Sequence, residues 1–124
     1  MKYLLDANVV IALLNDPDSH PAHEIRRHHP SDIAISSIVA HELYYGAFKS
    51  RRREHNVALI DALQVLESDK EDAGHAGELR TFLASSGISI GPYDALIAGQ
   101  AKARNLTLVC FSRQVGTHHS MGTA

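Results

Sequence analysis

Three acidic residues that are far apart in the chain, Asp6, Glu42 and Asp94, could meet at one edge of a parallel α/β sheet. Asp6 follows a short apolar run, Glu42 lies in a helix after a second apolar run, and Asp94 begins a later helix. The ligand crevice of an open parallel sheet lies outside the carboxyl ends of its strands. Clustered carboxylates need a cation, and oxygen ligands without Cys or clustered His favour Mg²⁺ or Mn²⁺. The set indicates metal-assisted phosphodiester chemistry.

Each of the three acids also has an ordinary structural role open to it. Asp6 can be a turn residue, Glu42 a solvated helix residue, and Asp94 an acid favoured at a helix N-terminus. The spacing of the acids does not by itself separate these roles from metal binding. Nine histidines are present, but without a tight ligand spacing they are expected at the surface.

Short apolar runs alternate with amphipathic segments along the chain, which favours a parallel sheet covered by helices on both faces. We predict a three-layer α/β/α domain with a mostly parallel central sheet over residues 1–112. Residues 113–124 show no period of 2 or 3.6 and are predicted to form an irregular tail. The predicted strands are 3–5, 33–35 and 106–110, with at most a stub at 88–90. The predicted helices are 9–14, 21–29, 37–47, 51–66, 70–86 and 92–104.

Composition limits the class of protein further. The chain has 124 residues, of which 44% are hydrophobic and 21% charged, as in ordinary folded domains, and its net charge is −2. Nucleic-acid binding therefore cannot rest on bulk positive charge. With a single cysteine and no apolar run near the ~20 residues of a membrane helix, we expect a cytoplasmic protein that does not span a membrane.

The sequence segments around the three acids are similar to the motifs of a known family. Residues 3–11 (YLLDANVVI) resemble an opening D-x-N motif, residues 35–47 (ISSIVAHELYYGA) a second motif, and residues 90–98 (IGPYDALIA) with 105–109 (NLTLV) a third. In order and spacing these motifs resemble those of the PIN-domain endoribonucleases, and among them the VapC-type toxins of type II toxin–antitoxin pairs. The resemblance runs from about residue 2 to residue 109.

This resemblance implies specific roles for several residues. Asp6, Glu42 and Asp94 would be the catalytic acids that bind Mg²⁺ or Mn²⁺, and Asn8 would hold Asp6 by a hydrogen bond. The implied protein is a metal-dependent endoribonuclease toxin that hydrolyses RNA and is neutralised by a cognate antitoxin. It is also expected to form a homodimer and to assemble with that antitoxin.

The sequence departs from the family pattern after the last predicted strand, where an acidic or Asn residue is usual. Ser112 is the nearest occupant of that fourth polar position, and it could contact a cation only through a neutral hydroxyl. This leaves open a catalytically weakened PIN-fold module that binds RNA or an antitoxin. A haloacid-dehalogenase-like phosphatase is disfavoured, because that fold needs a second Asp at the position of Asn8.

A basic run follows the helix of Glu42, and it consists of Lys49, Arg51, Arg52 and Arg53. These side chains could contact an RNA backbone or could simply lie in solvent at a helix start. Tyr44 and Tyr45 could stack on bases, but packing or a dimer face is the favoured role.

Overall fold

The centre of the molecule is a β-sheet in which the strand order is β3-β2-β1-β4-β5. The computed structural model describes residues 1–111 and 119–123. Its strands are β1 (Tyr3–Leu5), β2 (Ile33–Ser36), β3 (Val65–Leu66), β4 (Thr107–Phe111) and β5 (His119–Thr123). The first four strands run parallel, and β5 pairs antiparallel with β4. The carboxyl ends of β1, β2 and β4 therefore lie along one edge of the sheet.

Helices connect these parallel strands and cover the sheet. They are α1 (Ala7–Asn15), α2 (His20–Arg26), α3 (Ser37–Lys49), α4 (Arg53–Asp61), α5 (Lys70–Ser85) and α6 (Pro92–Ala103), with a 3-10 turn at Pro30–Asp32. The three-layer α/β architecture predicted from the sequence is confirmed. In the described part of the chain, none of the helices has the length and apolar character that spanning a membrane requires.

Two of the helices start directly where a strand ends. Asp6 follows β1 and is the N-cap of α1, while Ser36 ends β2 and caps α3, where its hydroxyl accepts a hydrogen bond from the Ile38 N–H at 3.1 Å. Polar side chains at this position satisfy backbone N–H groups that the first helical turn leaves unpaired. The chain thus turns from strand to helix within one residue, at the edge where the acids were expected.

The predicted helix over 51–66 is too long. Helix α4 ends at Asp61, and Val65 and Leu66 instead form β3, which pairs in parallel with Ile35 and Ser36. The apolar spacing that suggested one helix also fits a helix followed by a two-residue edge strand. Such a strand is too short to show a recognisable alternation of apolar and polar residues.

The predicted irregular tail over 113–124 is wrong for part of its length. Residues 119–123 form β5, whose register places Thr123 opposite Thr107 and His119 opposite Phe111. An edge strand presents unpaired backbone N–H and C=O groups, and another segment can pair with them through its own backbone. Such pairing does not require a particular side-chain pattern. Residues 112–118 and 124 lie outside the described part of the chain.

The core lies between the sheet and helices α1, α3 and α6. Its fully buried members include Leu4 on β1, Val9 and Val10 on α1, Ile35 on β2 and Val39 on α3. Burial of a side chain of this size stabilises the fold by about 1.5–3 kcal/mol. The core thus holds β1, α1 and α3 in fixed relative positions.

Helices α5 and α6 pack with their backbones unusually close at Gly99. A methyl group on Gly99 would lie 2.5 Å from the backbone nitrogen and 2.6 Å from the Cα of Ala76. A real Cβ atom does not approach backbone atoms so closely, so α5 and α6 would have to separate to admit a side chain. Glycine is required at this position by the packing of the two helices.

We therefore expect Gly99→Ala to lower the free energy of unfolding by about 1–3 kcal/mol, the usual cost of overpacking. Gly77→Ala on the facing helix is the matched control, because nothing lies within 4 Å of a Cβ built there. The better helix propensity of alanine should make that control more stable by up to about 1 kcal/mol. The stability of both variants is measured by thermal or urea unfolding, with circular dichroism as the signal. Equal stability of the two variants would contradict the close packing.

Candidate active site

Asp6 is held at the carboxyl end of the central strand by its own backbone. Its N–H donates to the carbonyl of Val109 on β4 at 2.9 Å, and one of its carboxylate oxygens accepts a hydrogen bond from the Ala7 N–H at 2.8 Å. The side chain is half-buried. Pairing of β1 with β4 therefore decides where this carboxylate lies.

Glu42 and Asp94 approach the same region from α3 and α6. Glu42 precedes the buried Leu43, so α3 packs on the core through one face and leaves Glu42 exposed on another. Asp94 lies in the first turn of α6, after the N-cap Gly91, and it is also exposed. Helix α3 packs against both α1 and α6.

The electrostatic effects among these acids show that they converge. Burial raises the pKa of Asp6, and the charge of Asp94 raises it further, against the lowering effect of the Ala7 hydrogen bond. Burial raises the pKa of Glu42, and so do the charges of Asp6 and Asp94, while His41 lowers it. The three predicted acids are therefore brought together, and within the described residues no Lys or Arg compensates either shift.

Asp72 provides a contrast within the same chain. Burial by itself raises the pKa of this carboxyl, but hydrogen bonds from Arg104, the Asp69 N–H and Gln100 outweigh burial and hold the pKa below its usual value. The Arg104 Nη2 and Gln100 Nε2 atoms each lie 3.0 Å from the Asp72 Oδ2 atom. Asp72 is thus paired with an Arg, whereas among the described residues neither Asp6 nor Glu42 has a Lys or Arg partner.

The donors at the three-acid site suit a hard divalent cation, because all of them are carboxylate oxygens. In the described part of the chain, no group of three or more His, Cys, Asp or Glu side chains is arranged to hold a metal ion directly. Mg²⁺ commonly keeps several waters and takes only one or two carboxylates as direct ligands. The residues present fit a largely hydrated Mg²⁺ or Mn²⁺ ion better than a dehydrated ion such as Zn²⁺.

The remaining predicted site residues have different outcomes. Asn8 is exposed on the first turn of α1, and across the described residues the hydrogen bond to the Asp6 carboxylate comes from the Ala7 N–H instead. Ser112 lies outside the described residues. The predicted basic run is exposed, and it comprises Lys49 at the end of α3, Arg51 and Arg52 in the turn, and Arg53 at the start of α4.

Two residues beside the acids were missed by the sequence analysis. His41 precedes Glu42 and Tyr93 precedes Asp94, and their rings contact each other with centroids 6.4 Å apart. The signal available in the sequence was that each of these two residues lies next to a predicted acid. Only the structure shows that the two rings meet.

An apolar groove of about 270 Å³ lies beside Glu42, between α1, α3 and α4. The residues that line it include Ile11, Leu14, Glu42, Leu43, Ala47 and Ile60. A groove of this kind suits an apolar side chain, and Glu42 at its edge suits a basic group next to that side chain.

Comparison with known proteins agrees with this fold. The PIN domain family matches residues 3–113. The chain is 39% identical over 113 residues to the tRNA(fMet)-specific endonuclease VapC of Salmonella typhimurium, covering 88% of this chain and 85% of the relative. It is 40% identical over 114 residues to the ribonuclease VapC2 of Rickettsia felis, with the same coverage. The chain therefore belongs to the PIN domain family, among its VapC-type ribonucleases.

Solved structures of complexes from the same two organisms are similar to this fold. DNA-bound VapBC from Salmonella typhimurium matches with a TM-score of 0.76 at 38% identity, covering 86% of this chain and 83% of that one. VapBC2 from Rickettsia felis, bound to a promoter DNA fragment, matches with a TM-score of 0.75 at 34% identity, covering 87% and 85%. The similarity thus extends over most of each chain.

Because charge repulsion contributes to the raised pKa of Glu42, we expect Glu42→Gln to stabilise the metal-free protein at pH 7. The gain should be small, about 0.5 kcal/mol, since solvent screens an exposed charge. A carboxyl whose pKa is higher in the folded state destabilises the fold when ionised, and this penalty disappears as pH falls through the raised pKa. The advantage of Glu42→Gln should therefore vanish as pH approaches the ordinary Glu value of 4.5.

Thermal melts in EDTA at pH 7 and pH 4 measure this difference. Glu78→Gln is the control, because Glu78 is an exposed acid that faces a cation instead of other acids. Its Oε1 atom lies 3.9 Å from the Lys102 Nζ atom. This control should be neutral or slightly destabilising at pH 7. A loss of stability in Glu42→Gln at pH 7 would contradict the repulsion.

Proposed function

We propose that this chain is a metal-dependent endoribonuclease toxin that hydrolyses RNA phosphodiester bonds in the cytoplasm and is neutralised by a cognate antitoxin. The observation that carries the proposal is the convergence of Asp6, Glu42 and Asp94 without a Lys or Arg partner among the described residues. Membership of the PIN domain family and relatives named as ribonucleases support it. The homodimer implied by the resemblance stays a prediction.

In this proposal the three carboxylates hold Mg²⁺ or Mn²⁺. When bound, such a cation lowers the pKa of water and offsets the negative charge that develops on the phosphate. The protein contributes the positions of the acids. Hydrogen bonds from the Ala7 N–H to the Asp6 carboxylate and from the Asp6 N–H to Val109 keep the first acid fixed, and α3 and α6 bring the other two to it.

Asp6→Asn and Asp94→Asn should each reduce metal-dependent cleavage of a mixed RNA pool at least about 100-fold, because each removes a charged ligand from the cation site. The measurement is the cleavage rate across a titration of Mg²⁺ or Mn²⁺. Asp18→Asn is the matched control, since Asp18 is an exposed acid before α2 and lies outside the site.

Cation binding can be followed without cleavage. Mg²⁺ or Mn²⁺ should raise the melting temperature of the natural chain and of Asp18→Asn, and Asp94→Asn should lose most of this shift. Full cleavage in EDTA would contradict metal dependence. A melting shift without cleavage of any RNA would instead indicate the weakened binding module.

The antitoxin is proposed to bind across the groove beside Glu42. An apolar side chain would occupy the space between Ile11, Leu43 and Ile60, and a neighbouring Arg or Lys would pair with the three acids. That arrangement would place a positive group where the cation otherwise binds. The antitoxin would therefore inhibit by occupying the site itself.

Ile11→Asp should weaken binding of the cognate antitoxin at least about tenfold, because it puts a charge into the apolar groove. Ile11 is 44% exposed, so the fold should tolerate the change. Leu59→Asp is the control, since Leu59 has a similar exposure of 37% but does not line the groove. Titration calorimetry with the purified antitoxin measures both variants. Unchanged affinity in Ile11→Asp would place the antitoxin elsewhere.

A further inference from the structure

Two aromatic rings form a rim beside the three acids. The rings of His41 on α3 and Tyr93 on α6 meet edge to face, with centroids 6.4 Å apart and planes at 81°. Each ring is next in sequence to one of the acids, Glu42 or Asp94. Tyr93 is 53% exposed, so one side of this ring pair is open to a ligand.

Tyr45 extends this rim along α3. It lies four residues after His41, and side chains at that spacing are neighbours on a helix surface. Tyr45 is 62% exposed, and the Lys49 ammonium lies 4.2 Å from the centroid of its ring. His41, Tyr45 and Tyr93 are called the aromatic rim below.

A further cation lies over an aromatic ring beyond the rim. The guanidinium of Arg53 lies 4.8 Å from the ring of Phe48, which is 50% exposed. Arg51 and Arg52 lie in the turn between these two residues and are exposed. Exposed rings with interspersed cations suit single-stranded nucleic acid, since bases stack on the rings and the cations contact phosphates.

RNA binding explains the exposure of these rings better than a role in packing does. Tyr44 has its hydroxyl bonded to Asp61 on α4, whereas Tyr45 and Tyr93 remain largely exposed. RNA, with its phosphates and flat bases, complements both the cations and the rings.

We propose that the aromatic rim is a stacking subsite for an unpaired base next to the phosphate that the three acids address. This inference rests on the proposed function, since it deepens the account of the RNA that the same site takes. Bases in a duplex are already stacked on each other and cannot lie on the rim. The rim therefore favours an unpaired nucleotide over a paired one.

The test uses a short single-stranded RNA that contains 2-aminopurine, whose fluorescence is quenched on stacking, with EDTA present to prevent hydrolysis. Binding is followed by anisotropy and stacking by the quench. Tyr93→Ala and Tyr45→Ala should each raise Kd about 5- to 100-fold, the range for loss of one stacked base, and should reduce the quench. Tyr93→Phe keeps the ring and should restore the quench.

Phe82→Ala is the matched control, because Phe82 is an aromatic residue of similar exposure, 66%, on α5 and away from the acids. It should bind the RNA as the natural chain does. The same RNA annealed to its complement should bind more weakly than the single strand, and its affinity should not depend on Tyr93. Circular dichroism melts establish that each variant is folded.

Three results would overturn the stacking subsite. One is an unchanged Kd and quench in both alanine variants, and another is failure of the natural chain to bind the single strand both in EDTA and with Mg²⁺ supplied. The third is that the alanine variants no longer self-associate in sedimentation but still bind RNA as the natural chain does. That result would make the rim a contact between copies. Failure of the proposed function has a different signature: no metal-dependent cleavage by the natural chain, whatever the rim variants do to binding.

Discussion

The mutual repulsion of Asp6, Glu42 and Asp94 is the constraint that the surrounding structure must withstand. Repulsion and burial together raise the pKa of Asp6 and Glu42, so the site is unfavourable when its acids are ionised and no cation is present. Each acid is held by a rigid element that is anchored elsewhere: the central strand, α3 or α6. The fold can therefore keep together three groups that would separate if they lay on flexible loops.

The contact between α5 and α6 contributes to holding Asp94 in position against this repulsion. Helix α6 carries Asp94 in its first turn, and its far end carries Gln100 and Arg104, which bind the buried Asp72 of α5. Asp72 is only 2% exposed, whereas Arg104 is 32% exposed and reaches it from the surface. Gly99 lets the two helix backbones meet between these ends. The acid of α6 is thus positioned by contacts one to three turns away from it.

The sequence allowed most of the sheet and the three acids to be predicted, but not the details that depend on backbone pairing. β1 and β2 are apolar runs that end in a helix-capping residue, and such local patterns are readable. β3 has two residues and β5 lacks an apolar alternation, so their pairing with β2 and β4 depends on partners distant in the chain. The resemblance implies that Asn8 holds Asp6, whereas among the described residues the donor to the Asp6 carboxylate is the main-chain N–H of Ala7.

In the proposed function, the acidic centre limits how RNA can be attracted to the protein. The three carboxylates repel a phosphate until a cation is bound, and the net charge of −2 gives no general attraction. Stacking of a base is uncharged, so its strength does not depend on whether the cation is present. Lys49 and Arg53 lie over rings, and within the part of the chain that the structure describes they form no ion pair with an acid, so their charge is available to a phosphate. In the proposed function, RNA binding would then rest on the rings and the cations beside them, and hydrolysis would rest on the three carboxylates.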